Sequence, residues 1–178
     1  MKRFLILLCL LLMICAVSSA ETYFPLTSLG DRYDLNLELN EADFQSLKME
    51  NPLSEGELYR VTFRRDGLAS VTLSIAPSEL YAGRSLNDFS DSEIRELCDI
   101  SGAQYADPLF ETEITLQGNR YIHMCNNEAA DIDSLFTVYN GYFIEMTICR
   151  DDFTELTEQD SEFCRMLLYG LQFVPSEV

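Results

Sequence analysis

The chain has 178 residues, with 30 acidic side chains against 12 basic ones, a single histidine and a net charge of −18. That balance excludes nucleic-acid binding, which draws on clustered Lys and Arg to neutralise phosphate, and an anionic membrane surface would repel such a chain. The acids are expected to keep the protein soluble, with a basic partner or calcium as the alternative use.

Residues 1–20 read as a signal peptide. Lys2 and Arg3 make a positive start, Phe4 to Val17 is continuously apolar, and Ser18-Ser19-Ala20 puts small residues before a cut at Glu21. The apolar run is shorter than the roughly 20 residues a membrane span needs, so export without a stable span is expected rather than anchoring. Ile14 before Cys15 is too bulky for a lipoprotein site. Cleavage leaves 158 residues, a net charge of −20 and Lys48 as the only lysine. A chain of that length buries about two-thirds of its unfolded surface as one domain.

Four cysteines survive cleavage: Cys98, Cys125, Cys149 and Cys164. In an exported protein an even count permits two disulfides, in any of three pairings, and buried thiols are the alternative. A Cys149–Cys164 bridge would be worth on the order of 3 kcal/mol. No C-x-x-C pair accompanies the lone His123, which argues against zinc.

In chain order, residues 21–32 read as an irregular lead-in because Pro25 and Gly30 oppose regular structure. Tyr33 to Leu39 alternates as a strand covered on one face. Asn40 caps a short helix with Leu39 and Phe44 as its staple, ended by Asn51-Pro52. Tyr59, Val61 and Phe63 then face Ala69, Val71, Leu73 and Ile75 in a hairpin. A three-residue loop with Gly67 at positive φ would set Phe63 beside Ala69, Val61 beside Val71 and Tyr59 beside Leu73.

Ser90 to Ser101 reads as a helix entered through a Ser90/Glu93 capping box, with a Phe89/Ile94 staple, an inward stripe of Ile94, Leu97 and Cys98, and Gly102 at its end. Two hairpins follow. Phe110 to Leu116 and Arg120 to Asn126 flank Gln117-Gly118-Asn119, and Leu135 to Tyr139 and Tyr142 to Arg150 flank Asn140-Gly141. Apolar residues on both faces of the last strand place it near the middle of a sheet. Thr157 caps a helix from Glu158 to Gly170 that buries Phe163, Met166 and Leu167. A strand from Leu171 to Val174 is expected to rejoin the sheet, leaving 175–178 as a frayed tail. The sum is a single α+β domain over 33–174, a mainly antiparallel sheet of about six to seven strands flanked by helices.

The order seen in Phe136-Thr-Val-Tyr-Asn-Gly-Tyr-Phe-Ile-Glu-Met-Thr-Ile148, then Leu156-Thr-Glu-Gln-Asp through Leu171-Gln-Phe173, resembles the closing half of the PsbP-like fold. That superfamily includes PsbP, the Ran-binding Mog proteins and many exported bacterial proteins. The resemblance implies an antiparallel sheet between helices and an accessory or binding role, and it transfers no site residue.

Candidate chemistry is sparse. His123 and Cys125 lie two apart on one strand, so they sit side by side rather than converge on a cleft as a nucleophilic pair must. Asp131-Ile132-Asp133 lacks the rest of a calcium loop, while Glu111 with Glu113 and Asp151-Asp152 are further acidic pairs. Arg60 and Arg64 share the polar face of a strand with Thr62, beside Arg65, and offer an anion or partner patch. Simple pairing with nearby acids is the bland alternative. Tyr81, Tyr105, Phe110 and Tyr139 have no obvious inward place and are candidates for a binding surface. The expected function is an exported, cell-envelope or secreted binding module for a protein or small ligand, without cofactor or metal. An extracellular hydrolase using carboxylates or a Cys/His pair is the alternative, and calcium-dependent stabilisation a third.

Overall fold

The computed structural model describes residues 21–29, 33–55, 58–102, 108–114, 118–126 and 131–176. The signal peptide expected over 1–20 and Tyr105 lie outside the described residues. The fold is α+β and antiparallel. Strands β1 (Glu21–Leu29) and β2 (Tyr33–Asn40) lead into a short helix α1 (Glu41–Gln45), followed by β3 (Lys48–Glu55), β4 (Leu58–Arg64) and β5 (Ser70–Pro77). Two 3₁₀ turns precede helix α2 (Asp91–Gly102), then come β6 (Pro108–Ile114), β7 (Arg120–Asn126), β8 (Ile132–Tyr139), β9 (Tyr142–Cys149), helix α3 (Glu158–Gly170) and β10 (Leu171–Pro175).

The large sheet has seven strands in the order β3-β4-β5-β9-β8-β7-β6, so β9 occupies its centre, as apolar residues on both its faces require. Three further strands form a separate sheet, β1-β2-β10. Two expectations are thereby corrected. Residues 21–29 are a strand and not an irregular lead-in, because Pro25 lies on an edge where its missing N–H removes no internal bond, next to a register break between Pro25 and Thr27. The closing strand runs through Pro175 and pairs with β2, Leu171 beside Leu37, instead of joining the large sheet.

Asn40 caps α1 as expected, its side chain accepting from the Asp43 N–H at 2.9 Å. That helix stops at Gln45 and does not reach Asn51-Pro52. The residues after it pair with β4, and Pro52 falls where the register breaks between Glu50 and Leu53. The β4–β5 hairpin keeps the expected faces, and Gly67 has φ 81°. Its register is two residues further along, with Phe63 beside Val71, Val61 beside Leu73 and Tyr59 beside Ile75.

Two cores lie on opposite faces of the large sheet. On the inner face, Val61, Phe63, Val71, Leu73, Ile75, Ile144, Met146 and Ile148 pack against Leu35, Leu37 and Leu39 of β2 and Phe163, Leu167 and Leu168 of α3. Full burial of such a side chain is worth about 1.5–3 kcal/mol. Gly170 permits α3 to approach β2, since a Cβ there would meet the Glu38 carbonyl oxygen at 2.6 Å. On the outer face, Leu97 and Cys98 of α2, with Leu86 and Phe89, cover Ile122, Met124, Phe136 and Val138. Ser90 caps α2, with its N–H donating to Glu93 at 2.8 Å. The β8–β9 turn has Asn140 at φ 49° and Gly141 at φ 87°, and it docks on the segment before α2 through Ser78 N–H to Gly141 O at 2.7 Å and Gly141 N–H to Arg84 O at 3.0 Å.

Candidate functional site

Alternation in β4 sends Val61 and Phe63 into the inner core and turns Arg60, Thr62 and Arg64 to the outer face. The outer core covers only the half of that face around β7 and β8. The half built on β3, β4, β5 and the Glu145 to Thr147 stretch of β9 lies under neither apolar cluster. Register aligns Thr62, Thr72, Thr147 and Ser134 in one row across four neighbouring strands, at about 4.8 Å per strand; the three threonines are half-buried and Ser134, on β8, is buried. The next row is Arg60, Ser74 and Glu145.

The hydroxyls and charges are partly tied to one another. Thr62 and Thr72 share a hydrogen bond at 3.1 Å, the Arg60 Nε–H donates to Ser74 Oγ at 3.1 Å, and Ser134 donates to Glu145 Oε1 at 2.9 Å. Arg64 is committed to acids, with Glu50 at 2.7 Å and Asp151 at 3.0 Å. Its pairing with Asp151 holds the guanidinium above its ordinary pKa. Left over among the described residues are the Nη groups of the exposed Arg60, the Thr147 hydroxyl and the Glu145 Oε2. These groups lie on one surface and differ in hydrogen-bonding character, which is what a polar ligand site needs.

The sequence-predicted candidates scatter. Arg60 and Arg64 share the open half-face as expected. Arg65 points elsewhere, pairing with Asp43 at 2.9 Å over the Phe163 ring, where it borders a depression of about 380 Å³ with Leu68 and Met166. Tyr81 packs on Phe89 with ring centroids 5.1 Å apart, and Tyr139 stacks on Phe173 at 4.0 Å. Phe110 leans on the outer core. These three side chains serve packing and form no common aromatic surface.

His123 lies between two carboxylates on neighbouring strands, hydrogen-bonded to Asp133 and 3.7 Å from Glu111. Cys125 sits opposite Asp133 in the ladder. Burial first, then the Asp133 and Glu111 charges, push its thiol pKa up, which opposes formation of the thiolate a nucleophile requires. The other acids have local work. Asp131 accepts from Asn126 at 3.3 Å, and Asp152 accepts from the Thr154 hydroxyl at 2.8 Å. Among the described residues no three His, Cys, Asp or Glu side chains are arranged to hold a metal.

The disulfide expectation is corrected: Cys98, Cys125, Cys149 and Cys164 all carry thiols. Cys98 is in the outer core and Cys164 in the inner one, while the register turns Cys125 inward and Cys149 outward, so the sheet stands between Cys149 and Cys164, the pair considered above for a bridge. The hydroxyl row was not foreseen beyond Thr62. Its only sequence signal is that Thr72, Ser74, Glu145 and Thr147 hold the polar positions of alternating strands. Neither a protein-family model nor a curated protein matches the chain.

Proposed function

We propose that this protein is an exported, non-catalytic binding module whose contact surface is the open half-face of β3, β4, β5 and β9. The observation that carries the reading is the in-register row Thr62, Thr72 and Thr147, bordered by Arg60 and Glu145. A face is favoured over an edge because each edge strand of the two sheets contains a proline: Pro25 in β1, Pro175 in β10, Pro52 in β3 and Pro108 in β6. Proline cannot donate to an added strand, so these edges suit strand addition poorly. An accessory or binding role also accords with the PsbP-like resemblance. The hydrolase alternative is weakened by the raised Cys125 pKa, which disfavours the thiolate nucleophile. No helix among the described residues is long and apolar enough to cross a membrane.

The test is capture from native cell envelope by the mature protein and by a Thr72→Arg/Thr147→Arg variant, which fills the face with bulky charge and leaves both cores alone. The expected result is a partner or ligand recovered by the first and lost from the second. Equal recovery by both would sink the reading.

A further inference from the structure

Resting on that reading, we propose that the open half-face binds a short oligosaccharide bearing a uronic-acid carboxylate, with the carboxylate at Arg60 and the ring hydroxyls along the row of Thr62, Thr72 and Thr147. The charge pattern points to one carboxylate. Lys48, Arg64, Arg65 and Arg150 are each neutralised by an acid, at 2.6, 2.7, 2.9 and 2.7 Å. Arg60 has no ion pair among the described residues and spends only its Nε–H, on Ser74, so its two Nη groups remain to bind an anion. A planar carboxylate matches that fork bidentately. A phosphate dianion fits less well, because Glu50, Glu145 and Asp151 stand on or beside the same face and a second negative charge would be repelled.

Polyol chemistry accounts for the rest of the surface. Each sugar hydroxyl both donates and accepts, as do the Thr and Ser hydroxyls beside Arg60. The unused Glu145 Oε2 supplies a pure acceptor and the Arg60 Nη groups pure donors. Arg60 and Glu145 sit two strands apart, a span of about 10 Å from the strand spacing, which accommodates about two pyranose rings. A peptide would need apolar pockets or a free edge, and the rows offer neither. One exposed aromatic follows β9 in the chain. Phe153 is 65% exposed at φ 53°, two residues from the Asp151 that holds Arg64. An L-residue in that conformation is costly, by about 1 kcal/mol or more, and here it presents a bare ring that can stack on the apolar face of a sugar.

Titration calorimetry of the mature protein against glucuronate-, galacturonate- and mannuronate-containing oligosaccharides of two to four units tests this. Carboxyl-reduced versions of the same sugars and inorganic phosphate serve as comparisons. Binding of at least one uronate probe is expected, tighter than its reduced form by about tenfold, the value of one charge-assisted pair. Arg60→Ala should lose about tenfold and Phe153→Ala a few fold, with unchanged thermal melts showing that each variant folds. Failure of every uronate probe, equal binding of the reduced sugars, or indifference to Arg60→Ala overturns the proposal. If envelope capture still depends on Thr72 and Thr147 in that event, only the sugar assignment falls; if capture is also indifferent, the binding face falls with it.

Discussion

Asp160, in the first turn of α3, accepts the backbone N–H of Ala69 at 2.7 Å across 91 residues of sequence. The same carboxylate takes Arg150 at 2.7 Å and the Thr157 N–H at 2.8 Å, and it is completely buried. One acid thus joins the β4–β5 loop, the end of β9 and the start of α3. It also explains the hairpin register. The N–H of Ala69 is spent on Asp160, so pairing begins with Ser70 in β5 and Phe63 meets Val71.

Replacing Asp160 with Ala should therefore destabilise the protein by about 3–5 kcal/mol, the cost of leaving Arg150 and buried donors unpaired. Urea denaturation measures it, and a loss below about 1 kcal/mol would contradict the account.

Stability should also fall in acid. Burial alone would raise the Asp160 pKa, but hydrogen bonds from Ala69, Thr157 and Arg150 outweigh it and hold the value at about 2, against 3.8 ordinarily. The group binds protons less readily when folded, so its contribution of about 2 kcal/mol is complete above pH 4 and is lost as pH falls toward 2. Thermal melts of the wild type should show that loss, and melts of Asp160→Asn should be flatter across the same interval.

Gly170 and Gly67 should respond differently to alanine. At Gly170 the new Cβ would lie 2.6 Å from the Glu38 carbonyl oxygen and 3.1 Å from two leucine side chains, so α3 must shift, at about 1–3 kcal/mol. At Gly67 there is open space and only the positive φ to strain, about 1 kcal/mol. Comparable melting temperatures for the two variants would disprove the close α3–β2 approach.

The proline at each sheet edge predicts a gain of association. Pro52→Thr restores an N–H to β3, so sedimentation should reveal concentration-dependent dimers or larger species that the wild type lacks at equal concentration. Persistent monomers in Pro52→Thr and Pro108→Thr alike would remove the protective role.

Cys125 should alkylate slowly at pH 8. Burial and the neighbouring carboxylates disfavour its thiolate, so Asp133→Asn and Glu111→Gln should each accelerate iodoacetamide labelling several-fold. Unchanged rates would mean that access, and not charge, limits the thiol.

Short-range features could be read directly. The Asn140-Gly141 turn, the Thr157 and Ser90 caps, the bounds of α3 and the central place of β9 follow from residues a few positions apart, where steric preference and local hydrogen bonds decide. Prolines misled at two points. Pro25 and Pro52 both suggested breaks, and both lie in edge strands, where a missing N–H is harmless. The aromatic candidates misled for another reason: a Tyr at a strand end can turn to solvent or lie on a ring from another element, and Phe173 waits for Tyr139.

Composition and periodicity therefore established the acidic character, the element types and the antiparallel α+β class, because each depends on a residue and its near neighbours. Folding in three dimensions settled the split into two sheets, the state of the cysteines and the assembly of the hydroxyl row. Thr72 and Thr147 become neighbours only when β5 pairs with β9 in one particular register. Period-two alternation says that a side chain faces outward but not which strand will lie beside it. That choice rests on core packing and on long-range bonds such as Asp160 to Ala69.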